Sequence, residues 1–292
     1  MSKLKNAFIA FFVFMPVIIA LRAIQLLYMI EPETGFAQKE NILGGELGVT
    51  LISVMYFGIL FALYLLSRLS GGWPASLNKK NRPIGVISIL LSIANALELY
   101  RIIDQRLAET NRVIQCLLLL SAVASSAYFL IYGLSCFKKV VFPPLMALCP
   151  VAFHVFLLVA TFMKYTALAN VGENSYDIAC LCLMLVFSLQ YAKMTLDYNF
   201  FKASRTIYGI GLASASCAVL ITIPRYIIIL LDKGSALHST LTLSMYILLY
   251  AVFEVVFLSV NMKQPSNSSK RKKHEKAYDD TEDYPDLGKD YL

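Results

Sequence analysis

Apolar residues in this chain gather in long runs, without the polar stripe of a surface helix or the alternation of a half-buried strand. Runs at approximately 7–30, 47–67, 84–103, 113–136, 141–163, 177–194, 207–231 and 240–262 can be read off directly. Each is near the roughly 20 residues a helix needs to cross a hydrocarbon core of about 30 Å. Only helices or closed barrels satisfy their backbone polar groups in lipid. The pattern therefore predicts an all-α fold, a polytopic transmembrane helical bundle of about eight spans.

The two ends of the pattern need separate treatment. Lys3 and Lys5 precede the first run as in a signal peptide, but the run continues past Arg22 to Ile30 without a small-residue cleavage site. It is expected to remain as span one. After Met262 the apolar pattern stops. Residues 263–292 carry a basic run, Lys270-Arg271-Lys272-Lys273, and then an acidic stretch from Asp279 to Asp290. So little apolar surface cannot offset the entropy of ordering, and a disordered cytoplasmic tail is expected. Its basic run would rest on anionic lipid headgroups.

Composition narrows the class. Of 292 residues, 58% are hydrophobic and 15% charged, and the mean hydropathy is +0.64. Soluble domains carry charge on about a quarter of their residues. No soluble catalytic domain fits beside the spans. The net charge of +7 reads as the excess of Lys and Arg found in cytoplasmic loops, not as a nucleic-acid surface.

Charge also orients the chain. With the N-terminus inside, the inner segments hold Lys3 and Lys5; Arg68, Lys79, Lys80 and Arg82; Lys138 and Lys139; Lys193, Lys202 and Arg205; and Lys263 with the tail run. The first outer loop is acidic on balance, with Glu31, Glu33, Glu40 and Glu46 against Lys39. Both termini are thus expected on the cytoplasmic side, in a plasma membrane.

Odd-numbered spans end alike, a basic residue being followed some seven to nine positions later by an acidic one. The pairs are Arg22 and Glu31, Arg101 and Glu109, Lys164 and Glu173, Arg225 and Asp232. This suggests a duplicated four-helix unit, 1–139 and 140–262, with a pseudo-twofold axis along the membrane normal. Small residues in spans three, four and seven should place those helices at the centre. Pro16, Pro150 and Pro224 lie inside runs and are expected to kink them.

Charges inside spans are the candidate chemistry. Arg22 lies roughly 12 Å, and Arg225 roughly 9 Å, below the outer ends of their helices at about 1.5 Å per residue. With Arg101 and Lys164 they would ring an outward-facing basic vestibule. Gln25 shares a helical face with Arg22, and Tyr226 adjoins Arg225. Such a site suits a small anionic or carboxylate-bearing ligand. Alternatively, the long side chains snorkel to the headgroups or pair with acidic residues.

Glu254 lies roughly 12 Å from the inner end of span eight. It shares a face with Tyr246 and Tyr250 that should turn inward. It is either a proton or cation site coupled to transport, a carboxyl kept neutral by burial, or one bonded to tyrosine or to a basic residue of span six or seven. Asn95 and Glu98 on span three precede Arg101, and an intrahelical Glu98–Arg101 pair is expected.

His154 reads as a buried, hydrogen-bonded histidine. Cys180 and Cys182, two apart on a helix, point to opposite sides and cannot share an ion. No metal, cofactor or catalytic residue is expected, since no catalytic motif has a suitable context. The function expected is that of a small-molecule transporter, permease or ligand-binding bundle, not an enzyme. The alternatives are a receptor or sensor, or an accessory assembly protein without transport activity.

Overall fold

The computed structural model describes residues 2–29, 46–69, 77, 81–104, 112–138, 143–166, 172–231 and 241–262. Eight helices follow in order: α1 (Ser2–Tyr28), α2 (Glu46–Leu69), α3 (Arg82–Asp104), α4 (Arg112–Phe137), α5 (Cys149–Thr166), α6 (Gly172–Thr195), α7 (Phe200–Leu230) and α8 (Leu241–Met262). There is no strand among the described residues, and all eight helices are long and apolar enough to cross a membrane. The chain is a polytopic helical bundle. The tail 263–292, with its proposed lipid contact, lies outside the described residues.

The helix surfaces match that solvent. Ile9, Phe12, Val13, Leu51, Val54, Phe61 and Leu120 are each more than half exposed. In water such faces would associate, whereas lipid tails solvate them.

Prolines act differently at different positions. A 3-10 helix at Pro144–Leu148 leads into α5, so Pro150 is the second residue of that helix. There a missing N–H removes no intrahelical bond. The change of helix geometry thus comes at the start of α5 and not within it, as the sequence had suggested. The helices α1 and α7 continue through Pro16 and Pro224.

Between α6 and α7 the chain turns over four residues, 196–199. Asp197 (φ 57°) and Asn199 (φ 49°) are left-handed, a conformation that Asp and Asn tolerate best among residues with a side chain. The tight turn sets α6 and α7 antiparallel and adjacent.

The helix α7 is the hub, packing against α1, α2, α6 and α8. Small residues permit this. A methyl group built on Gly211 would lie 2.7 Å from Leu258 Cδ1 and 3.0 Å from Phe187 Cε2, so α8 and α6 come close on either side. Hydroxyls along α7 bond back to its own carbonyls, as Ser216 to Leu212 at 2.7 Å and Thr222 to Ala218 at 2.8 Å. These two hydroxyls are therefore satisfied within the core.

Helices α3 to α8 form a closed circuit of neighbours, since α3 packs on both α4 and α8. Its interior is aromatic. Phe129 of α4 meets Phe253 of α8 edge-on at 5.6 Å, Phe153 of α5 meets Tyr246 at 5.3 Å, and Tyr191 of α6 meets Phe257 at 5.2 Å. Edge-to-face rings at these separations are the favoured arrangement.

The α3/α4 contact is the most extensive among the described helices. Gly85 and Gly133 face each other so tightly that a Cβ on Gly133 would lie 2.9 Å from the Gly85 carbonyl oxygen and 2.7 Å from Ile89 Cγ1. Further along, Ser92 Oγ donates to the Ser126 carbonyl at 2.8 Å, and Ser126 Oγ to the Ser92 carbonyl at 3.0 Å. Small residues and paired hydroxyls thus hold two helices together where lipid supplies no hydrophobic drive.

Candidate functional site

A charged cluster closes the end of the bundle where α1 and α7 finish and α2 and α6 begin. Arg22, on the penultimate turn of α1, is only 1% exposed. One of its terminal nitrogens donates to Gln25 Oε1, three residues on and on the same face. Its guanidinium lies 4.5 Å from the centre of the Tyr176 ring on α6, a cation–π contact strengthened by exclusion of water. The Tyr176 hydroxyl in turn donates to Ser53 Oγ of α2 at 2.5 Å.

The next residue on α6, Asp177, accepts an ion pair from Arg225 of α7 at 2.9 Å. Both side chains are almost wholly enclosed. Adjacent residues of α6 thus receive one arginine from α1 and another from α7. Tyr226, which follows Arg225, is half-buried.

Gln25 contributes something more specific. Because its Oε1 accepts from Arg22, the orientation of its amide is settled by chemistry. Its Nε2 then points elsewhere, is buried, and has no hydrogen-bond partner among the described residues. A buried donor without an acceptor is costly, and native structures seldom leave one without a reason.

The other expected members are placed differently. Arg101 chelates Glu98 of its own helix, Nε lying 3.0 and 2.9 Å from the two carboxyl oxygens, with a further bond from its terminal nitrogen. This is the intrahelical pair the spacing suggests. Extensive packing of α3 is with α4 and α8. Lys164 belongs to the last turn of α5, and its side chain lies outside the described residues. Asn95 donates to Ser125 Oγ of α4 at 2.9 Å, and its Oδ1 has no partner among the described residues.

Deeper in the bundle, Tyr246, Tyr250 and Glu254 all face inward and are buried. Ser214 Oγ of α7 donates to Glu254 Oε1 at 2.8 Å. The partner is therefore a serine, not the tyrosine or basic residue considered from sequence. His154 Nδ1 lies 2.8 Å from the Pro150 carbonyl and Nε2 lies 3.0 Å from the Tyr246 hydroxyl. If Nδ1 carries the proton, both bonds are made and the ring is fully engaged. Cys180 is buried and Cys182 exposed, on opposite sides of α6. Among the described residues no three His, Cys, Asp or Glu side chains are grouped to hold a metal ion.

Sequence reasoning missed Tyr176 and Asp177. Part of the signal was present: Asp177 is an acidic residue at the outer start of span six, but only the earlier start of α6 at Gly172 brings it level with Arg225. Ser53 and Ser214 carry no pattern that separates them from other serines in the spans.

Chemically, the cluster presents two guanidinium groups, an amide N–H and an aromatic face from α1, α6 and α7, with one carboxylate among them. Guanidinium forks and amide donors together match the oxygens of a carboxylate or phosphate. No protein-family model, curated protein or solved structure matches this chain.

Proposed function

We propose that this membrane protein binds a small anionic ligand, carboxylate-bearing in the first instance, at the Arg22–Tyr176–Arg225 end, and that it serves as a transporter or permease for it. The observation that carries the reading is the buried Nε2 of Gln25, a donor with no acceptor among the described residues beside the Arg22 guanidinium. An anion seated there would supply the acceptor. Charges enclosed within membrane spans mark ligand and ion pathways more often than plain structure. The hub position of α7 supports transport over static binding, because one helix carries Arg225 of this end and Ser214 beside Glu254.

The test is thermal unfolding of the purified full chain in detergent with succinate, citrate or a long-chain fatty carboxylate. Wild type should be stabilised by at least one of these, and Arg22→Ala and Arg225→Ala should lose the response. Uptake of the active anion into proteoliposomes then separates transport from sensing. If no anion stabilises wild type, or both variants respond as wild type does, the ligand reading fails and the accessory-protein reading takes its place.

A further inference from the structure

At the opposite end of the bundle, where α2 finishes and α7 begins, one face of α2 changes its chemistry in a definite order. Phe61 is 61% exposed. Its ring stacks on that of Tyr64, one turn on, at 6.3 Å. The Tyr64 hydroxyl in turn accepts from a terminal nitrogen of Arg68, whose guanidinium carbon lies 5.4 Å from the centre of the same ring. Apolar ring, phenol and guanidinium thus follow one another over roughly 10 Å of helix. The charge comes last, in the final turn of α2.

The helix α7 supplies the other side. A Cβ on Gly209 would lie 3.2 Å from Tyr64 Cε2 and 3.3 Å from Arg68 Cβ, so the stem of Arg68 is held close to the α7 backbone. Lys202 and Arg205 precede Gly209 at the spacings that put them on its face of α7. Arg68, Lys202 and Arg205 are all exposed. Lys202 belongs to the first turn of α7, which holds no acidic residue, although a helix start disfavours a cation. Asp197, in the turn before α7, is the one acidic residue at this end among the described residues. Lys5 of α1 and Lys193 of α6 add to the positive side.

We propose that this α2/α7 seam is a binding site for one anionic phospholipid. The phosphodiester sits between Arg68 and Arg205, with Lys202 toward the headgroup, and an acyl chain runs past Tyr64 along Phe61. Guanidinium forks match the phosphate oxygens, and the ammonium adds a point charge. The order of groups on α2 favours a lipid over a free phosphate. A lipid joins a phosphate at the membrane surface to an acyl chain beneath it, whereas a free phosphate makes no use of the exposed ring below the charge. The site is at the other end of the bundle from Arg22 and does not rest on the ligand reading above.

The experiment is native mass spectrometry of the full chain in detergent, with phosphatidylglycerol or phosphatidylcholine of identical acyl chains added. Wild type should retain one phosphatidylglycerol at least about tenfold more tightly than phosphatidylcholine. Arg68→Gln with Arg205→Gln should abolish that preference. Arg82→Gln with Lys138→Gln removes the same charge from exposed positions at this end of α3 and α4, and should keep it. A second measurement needs no variant. Phosphatidylglycerol with a diazirine in its acyl chain is photolysed on wild type, and the adduct should map to residues 58–68 or 202–213.

Equal retention of the two lipids by wild type, or equal loss of preference in the two double variants, overturns the site. So does an adduct confined to other helices. Displacement of phosphatidylglycerol by inorganic phosphate would make the occupant a free anion and overturn the lipid assignment.

Discussion

Arg225 of α7 and Asp177 of α6 form an ion pair at 2.9 Å with both side chains almost completely enclosed. Removing one partner of such a pair strands the other charge and costs about 3–5 kcal/mol, whereas removing both together can be nearly neutral. Arg225→Met and Asp177→Leu should each destabilise the bundle by about that amount, and the double variant by much less than the sum. Reversible unfolding in mixed micelles reads the cycle. Additive losses would mean that the pair is not coupled.

Gly133 has the Gly85 carbonyl oxygen and Ile89 where a side chain would go. Gly133→Ala should force α3 and α4 apart and cost about 1–3 kcal/mol, as overpacking does. Gly58, with open space around it, is the control: Gly58→Ala should be neutral or mildly stabilising, since glycine within a helix is worth roughly 0.5–1 kcal/mol less than alanine. Equal effects at the two sites would remove close approach as the basis of the α3/α4 contact.

The Tyr246 hydroxyl lies 3.0 Å from His154 Nε2. Tyr246→Phe keeps the ring and deletes the donor, leaving a buried nitrogen without its bond at a cost of about 1–3 kcal/mol. His154→Phe with Tyr246→Phe should recover part of that loss, since neither polar group then remains. A Tyr246→Phe protein as stable as wild type would mean the bond is not formed.

Gln25→Glu separates stability from binding. A carboxylate there faces Arg22 as a charged acceptor, so unfolding resistance should be kept or raised. The donor facing away from Arg22 is gone and a negative charge replaces it. Any anion that stabilises wild type should bind at least about tenfold more weakly, or about 1.4 kcal/mol. Tighter anion binding by Gln25→Glu would contradict the ligand reading.

Eight spans and their limits were legible because hydrophobic length is a one-dimensional property. The expected runs and the observed helices agree to within a turn at most ends; the largest shifts are at α5, which begins at Cys149 instead of residue 141, and at α7, which begins at Phe200 instead of residue 207. Lys202 and Arg205 hid that first stretch by lowering its hydropathy. The Glu98–Arg101 pair was legible for a similar reason, since both groups lie on one helix. Partners between helices were not. Arg22 and Tyr176 are 154 positions apart in the sequence, and their contact depends on which helices neighbour α7. Charge and spacing identified Arg22, Gln25 and Arg225 as unusual, but only the fold brings Tyr176 and Asp177 between them.

The place of α7 has a consequence for biogenesis. Ribosomes deliver this chain from its N-terminus, so α1 and α2 enter the bilayer long before the helix they pack against exists. Until α6 emerges, Arg22 has no Tyr176 ring to lie on. Only with α7 do α1 and α2 gain their main packing surface. Before α6 and α7 are made, α1 therefore carries an arginine still to be buried. A chain truncated before residue 200 lacks that surface and should be a substrate for membrane quality control.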